Sequence, residues 1–244
     1  MKKLFCEPWT ITMNTLEALL SRKGRAGLAA AFAAMVLFWF LYVPAHELLH
    51  AAGCVLSGGE VRELALQPWY GAGLLKKIFP FITPGSEYAG RLTEFSVPGR
   101  FSYLLVDLLP YVPSLFGVAL VRLAGRRNRP FLYGPAVLLA FMPVIAIPGD
   151  YYEAVSLFTS PLAETLAPGT PAGRLVSDDA VKLLLELRET SRLTPVTLAV
   201  FAVGLSLSAL LAAVTLAVEA GMARLLFGGP SGTWNLLDKD APKR

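Results

Sequence analysis

His46, Glu47 and His50 stand within the run VPAHELLHAAG, Val43 to Gly53. On a helix, residues four apart share a face, so the two imidazoles address one position with the Glu47 carboxylate beside it. This is the HExxH arrangement, in which two histidines hold zinc and the glutamate acts as general base. Zinc lowers the pKa of a bound water to about 7 and polarises a scissile carbonyl. The chain contains 2 histidines, and both are in this motif. A pair of packing histidines is the plain alternative. It leaves three polar groups in an apolar run with no common reason for being there.

A catalytic zinc needs a third protein ligand and an open position. No histidine remains, so a carboxylate must serve. The candidates inside apolar segments are Asp107, Asp150, Glu153 and Glu219. His46 lies 19 residues after Gly27, and Asp150 lies 20 residues after Pro130. If those two segments enter the membrane from the same side, both residues reach about 28–30 Å along a helix rising 1.5 Å per residue. Asp150 also sits in MPVIAIPGDYYEA, where Pro148 and Gly149 open the helix and let a carboxylate approach a metal. A helix N-cap at that break is the other reading of Asp150. Glu153, one turn on, is a second-layer partner or alternate ligand. Asp107 stays open as an alternate ligand or a packing group, and Glu219 is expected to pair with Arg224 or the interface.

These residues need a membrane scaffold. Of 244 residues, 55% are hydrophobic and 16% charged, against about 25% charged in soluble domains. Four apolar segments are long enough for a core of about 30 Å: Gly27 to about Leu56, about Phe101 to Leu123, about Pro130 to Phe158, and about Pro195 to Phe227. Prolines in the second and third require neighbouring protein to satisfy the freed carbonyls, so these two are expected inside a bundle. The expected fold is an all-α polytopic membrane protein of about four transmembrane helices, with short strands or a re-entrant β-hairpin in residues 57–100. Ser177 to Thr190 reads as a short amphipathic connector helix capped by Ser177. The domain reading is a cytoplasmic N-terminal segment (1–26), a membrane-embedded domain (27–227) and a polar tail (228–244).

The net charge of +4 comes from clusters beside apolar runs, the inside-facing signature of a membrane protein, and no nucleic-acid motif accompanies it. Arg22, Lys23 and Arg25, then Arg122 to Arg129, then Arg224 and the tail lysines share one side by this rule, which puts both termini in the cytoplasm of, by expectation, a bacterial cell. The start MKKLFCEPWTITM lacks the apolar run and cleavage site of a signal peptide. Cys6 and Cys54 are too few for a disulfide framework or a cysteine zinc site.

HELLH in the first long span, a hairpin-like loop, and a later span with a Pro- and Gly-flanked aspartate together resemble the site-2 protease family of intramembrane zinc metalloproteases. A small bacterial group of zincin-type peptidases is more similar still. The resemblance covers roughly residues 27 to 160. It implies His46, His50 and Asp150 as zinc ligands, Glu47 as catalytic base, and a membrane-protein or peptide substrate in the lipid bilayer. In the better-known members glycine follows the ligand aspartate; here Gly149 precedes Asp150 and Tyr151 follows. No PDZ-like segment is evident. The rival expectation is a non-catalytic membrane binding or scaffold protein with a structural metal site, or a degenerate protease fold. Oligomeric state is not legible.

Overall fold

A computed structural model describes residues 2–166, 175–190 and 192–228. Four helical stretches are long and apolar enough to cross a membrane: Cys6–Leu56, Arg100–Arg127, Pro130–Leu166 and Pro195–Phe227. The expected all-α polytopic membrane architecture is therefore present, with a small open sheet following the first span. The polar tail expected over 228–244 lies outside the described residues beyond Gly228.

Contacts divide the chain into two compact units. Of the described residues, one contains 2–42, 111–142 and 214–228. Its first element is the start of α1 (Lys2–Leu56), which is continuous except at Gly24, where φ is 61°. Glycine is the residue that adopts this conformation without steric cost. The part read from sequence as a cytoplasmic N-terminal segment is thus helical from Lys2. Its signal is amphipathic rather than hydropathic: Ile11, Thr15, Ala18 and Leu19 are buried, at the i, i+4, i+7, i+8 spacing of one helical face. They share the unit with α4 (Gly117–Arg127), much of α5 (Pro130–Ile145) and the end of α8 (Pro195–Phe227). Val118, Val121, Ala124, Tyr133, Ala136, Ala140 and Ala223 complete the core. Small residues bring the backbones close: a Cβ on Gly134 would lie 1.9 Å from the Ala31 carbonyl oxygen. In this unit Glu7 accepts hydrogen bonds from Arg122 (3.0 Å) and from Arg224. Arg224 therefore belongs to Glu7, and the expected Glu219–Arg224 pair is not formed. The Glu219 carboxyl is buried with the Ser114 hydroxyl as its polar neighbour, and that hydroxyl donates to the Tyr111 carbonyl at 2.6 Å.

The second unit contains residues 43–110 and 143–213. It holds the last part of α1, with HELLH, followed by β1 (Glu60–Leu66), the short α2 (Ala72–Leu75), β2 (Ile82–Pro84), β3 (Gly90–Ser96) and α3 (Arg100–Leu108). The strand order is β2-β1-β3, parallel between β1 and β2 and antiparallel between β1 and β3. The alternating stretch Val61 to Leu66 does form a strand, but its antiparallel partner is not joined to it by a tight turn. Residues 67–89, with α2 and β2, intervene, so the expected re-entrant hairpin is a three-stranded sheet. Its buried residues are Leu64, Ala65, Leu66 and Ile82, so the end of β1 is covered on both faces.

The third span is interrupted as its prolines require. α5 stops at Ile145 and α6 (Asp150–Leu166) starts at Asp150, with the turn 146–149 between them. The Ala146 carbonyl accepts from both Gly149 and Tyr151 (3.0 and 3.1 Å), and Pro148 O accepts from Ala180 N at 2.8 Å. That last bond ties the break to α7 (Ala180–Glu189). α7 is capped by Asp179, whose side chain accepts from Val181 N and Lys182 N. Ser177, the cap expected from sequence, sits two residues earlier and accepts from the Asp179 amide instead. Leu183 and Leu187 of α7 pack with Tyr152, Val200 and Phe201.

Candidate metal centre

The site lies wholly within the second unit. The last turns of α1 present His46, Glu47 and His50 on one face, and the 146–149 turn delivers Asp150 as the first residue of α6. His46 Nε2 is 3.1 Å from Asp150 Oδ2 and 3.1 Å from His50 Nε2, and His50 Nε2 is 3.5 Å from the same carboxylate oxygen. A tetrahedral zinc with ligands at about 2.0–2.1 Å holds its donor atoms about 3.3–3.4 Å apart. The three observed separations fit that requirement. Among the described residues this is the one group of three or more His, Cys, Asp or Glu side chains whose donor atoms converge in this way. Asp150 stands at the start of α6, and its Oδ2 faces the imidazoles.

His50 is oriented from behind. Its Nδ1 lies 2.9 Å from the carbonyl oxygen of Val106 on α3. A carbonyl only accepts, so Nδ1 carries a proton, and Nε2 is the ring nitrogen turned toward Asp150 and His46. Such a contact behind a ligand fixes tautomer and ring angle and is worth 10- to 100-fold in metal affinity. It depends on a close approach of two helices: a Cβ on Gly53 would lie 2.7 Å from Leu105 O and 2.9 Å from Val106 Cα. Both obstacles are backbone and cannot rotate away. Gly53→Ala should therefore push α3 outward, lengthen the His50–Val106 contact and weaken metal binding by about 10- to 100-fold. Chelator competition on the purified full chain measures this.

Glu47 contributes nothing to the three-donor group but lines the cavity beside it. It is 8% exposed. The N-terminal end of β3 passes directly over it, and a Cβ on Gly90 would come within 2.4 Å of Glu47 Cγ. Glycine at this point lets the strand and the carboxylate coexist. The cavity, of about 450 Å³, is further lined by Arg91, Leu92, Thr93, Phe95, Tyr103, Val106, Asp107, Glu153 and Asp178.

Asp107 and Glu153 are thus in the cavity but outside the donor group. Glu153 accepts from the Tyr103 hydroxyl at 2.7 Å. Asp107 is 2% exposed, and its Oδ2 has no hydrogen-bond partner among the described residues. Glu219 lies in the other unit. Sequence reasoning missed Tyr103, Gly90 and the ion pair of Arg91 with Asp178, 3.0 Å apart. Each acts through a partner tens of residues away, and no local pattern marks any of them. Comparison with protein-family models, with curated proteins and with solved structures finds no match.

Proposed function

We propose that this chain is an intramembrane zinc metalloendopeptidase of the site-2 protease type, cutting a peptide bond of a membrane-protein substrate. The observation that carries the reading is the convergence of His46, His50 and Asp150 on one point with Glu47 beside it and outside the donor set. A site built only to hold a metal has no use for that glutamate. The HELLH resemblance noted from sequence agrees.

Bound there, zinc would supply an acidified water and a Lewis acid for the scissile carbonyl. Glu47 takes the proton from the attacking water and passes it to the leaving amine, which requires a carboxylate within one hydrogen bond of both. Asp150 and the two histidines supply the ligand set, and Val106 O keeps His50 in the ligating tautomer. Among the described residues β3 pairs with β1 on one side only, and its residues Gly90 to Thr93 and Phe95 line the cavity. An extended peptide added to that free edge would have its backbone fixed by strand hydrogen bonds. A helical substrate segment has to unwind first. The basic clusters at Arg22 to Arg25 and Arg122 to Arg129 argue for cytoplasmic termini.

Elemental analysis of the detergent-purified full chain tests the ligand set. Wild type and Asp107→Ala are expected to hold about one zinc per chain, and His46→Ala and Asp150→Ala less than about a tenth of that, since zinc sites need at least three protein ligands. Wild type without zinc after reconstitution would return the protein to the binding or scaffold reading. Zinc lost in Asp107→Ala but kept in Asp150→Ala would move the third ligand.

A further inference from the structure

The cavity beside the metal group holds five carboxyl groups, Glu47, Asp107, Asp150, Glu153 and Asp178, and one guanidinium, Arg91. Three of the five are accounted for. Asp150 faces the histidines, Asp178 is paired with Arg91 at 3.0 Å, and Glu47 is the proposed base. Asp107 and Glu153 remain. Glu153 receives one hydrogen bond from Tyr103, and the buried Oδ2 of Asp107 receives none from the described residues. Acidic groups within a membrane span face partners or pathways, because leaving them unpaired is costly.

A second metal ion is a poor candidate for that partner. Asp107 and Glu153 line one cavity but belong to no group of three converging metal-ligating side chains among the described residues, and the Tyr103 hydroxyl is committed to Glu153. The walls around them favour an organic cation: Leu92, Phe95 and Val106 line the same space. An aliphatic stem with a charged tip fits apolar walls that end in carboxylates.

We propose that Asp107 and Glu153 form a cation-recognising subsite that takes an ammonium or guanidinium group of the substrate next to the scissile bond. As a substrate subsite it rests on the metallopeptidase reading. Lysine and arginine flank membrane spans, so a substrate cut near the end of a span carries such a group close to the cut. A free amino terminus offers the same chemistry, and the test separates the two sources.

The test is binding of three small probes to the full chain by saturation-transfer NMR, with zinc and after chelation: Nα-acetyl-lysine methylamide, Nα-acetyl-norleucine methylamide, and norleucine methylamide with its amine free. Wild type is expected to favour the lysine probe over the acetylated norleucine probe by about tenfold or more, the size of one charge-assisted hydrogen bond. The preference is expected to vanish in Asp107→Asn/Glu153→Gln, and to shrink in each isosteric single variant, which guards against a double variant that does not fold. A preference for the free-amine probe instead would keep the subsite and assign it to an amino terminus. Equal binding of charged and uncharged probes, or a preference that survives the double substitution, would overturn the proposal. So would two zinc ions in wild type falling to one in the double variant, which hands the carboxylates to a metal. Failure of the metallopeptidase reading shows separately, as absence of zinc, while the chelated arm still reports whether the cation is preferred.

Discussion

Glu47→Gln is expected to retain about one zinc per chain and to lose peptide cleavage by roughly two to four orders of magnitude, the contribution of a positioned general base. The two halves of this expectation have separate structural grounds. Zinc stays because the donor atoms belong to His46, His50 and Asp150, whose mutual spacing does not involve Glu47. Cleavage goes because glutamine has the size of glutamate but cannot accept the water proton. The side chain is also confined, since β3 at Gly90 closes over its methylene groups. Glu47→Asp sharpens the point. It keeps the carboxylate but withdraws it by one methylene, and a misplacement of about 1 Å costs on the order of 10²-fold. The measurement is cleavage of a panel of single-span membrane peptides in proteoliposomes, with zinc content determined on the same preparations. Cleavage retained in Glu47→Gln would sink the mechanism. Zinc-loaded wild type that cuts nothing in the panel would favour the scaffold reading.

What could be read from sequence divides by the range of the interaction. HELLH is local: helical period alone puts His46 and His50 on one face, and the structure has them there. Asp150 is 104 residues from His46, yet it was legible, because a Pro-Gly break in an apolar run tells where the chain opens and residue counts along two spans give comparable depths. Asp107 and Glu153 were placed near the centre but could not be ranked. Only the packing of α3 against α6 shows that they line the cavity without joining the donor set. The α7 cap was misread by two residues because Ser177, Asp178 and Asp179 all have N-cap chemistry. Position alone sends Asp178 to Arg91 and leaves Asp179 to the helix. The sheet was half legible: alternation shows strands, but pairing order depends on β2, a strand too short to leave a pattern. Least visible was Glu7. It stands in a polar-looking leader, and its partner Arg122 is 115 residues away.

Glu7→Ala should destabilise the protein by about 3–5 kcal/mol, the usual cost of removing one side of a buried ion pair. Glu7 and Arg122 have side chains only 2% and 6% exposed. Arg122 also donates to the Ala223 carbonyl at 3.3 Å, but a carbonyl does not neutralise a guanidinium. Arg224, the second donor to Glu7, is 36% exposed and can turn toward the headgroup region. The buried charge of Arg122 is therefore the source of the penalty, and this makes a second result follow. Replacing both members of the pair with apolar residues removes the buried charge along with the attraction, and such replacements are often neutral or stabilising. Glu7→Leu/Arg122→Leu should accordingly recover most of the stability lost in Glu7→Ala. The denaturation midpoint of the detergent-solubilised full chain, measured for wild type, both single variants and the double variant, decides it. A double variant as unstable as the sum of its parts would mean that the two residues act independently. The helix from Lys2 to Gly24 would then owe its place to Ile11, Ala18 and Leu19 rather than to its one buried acid.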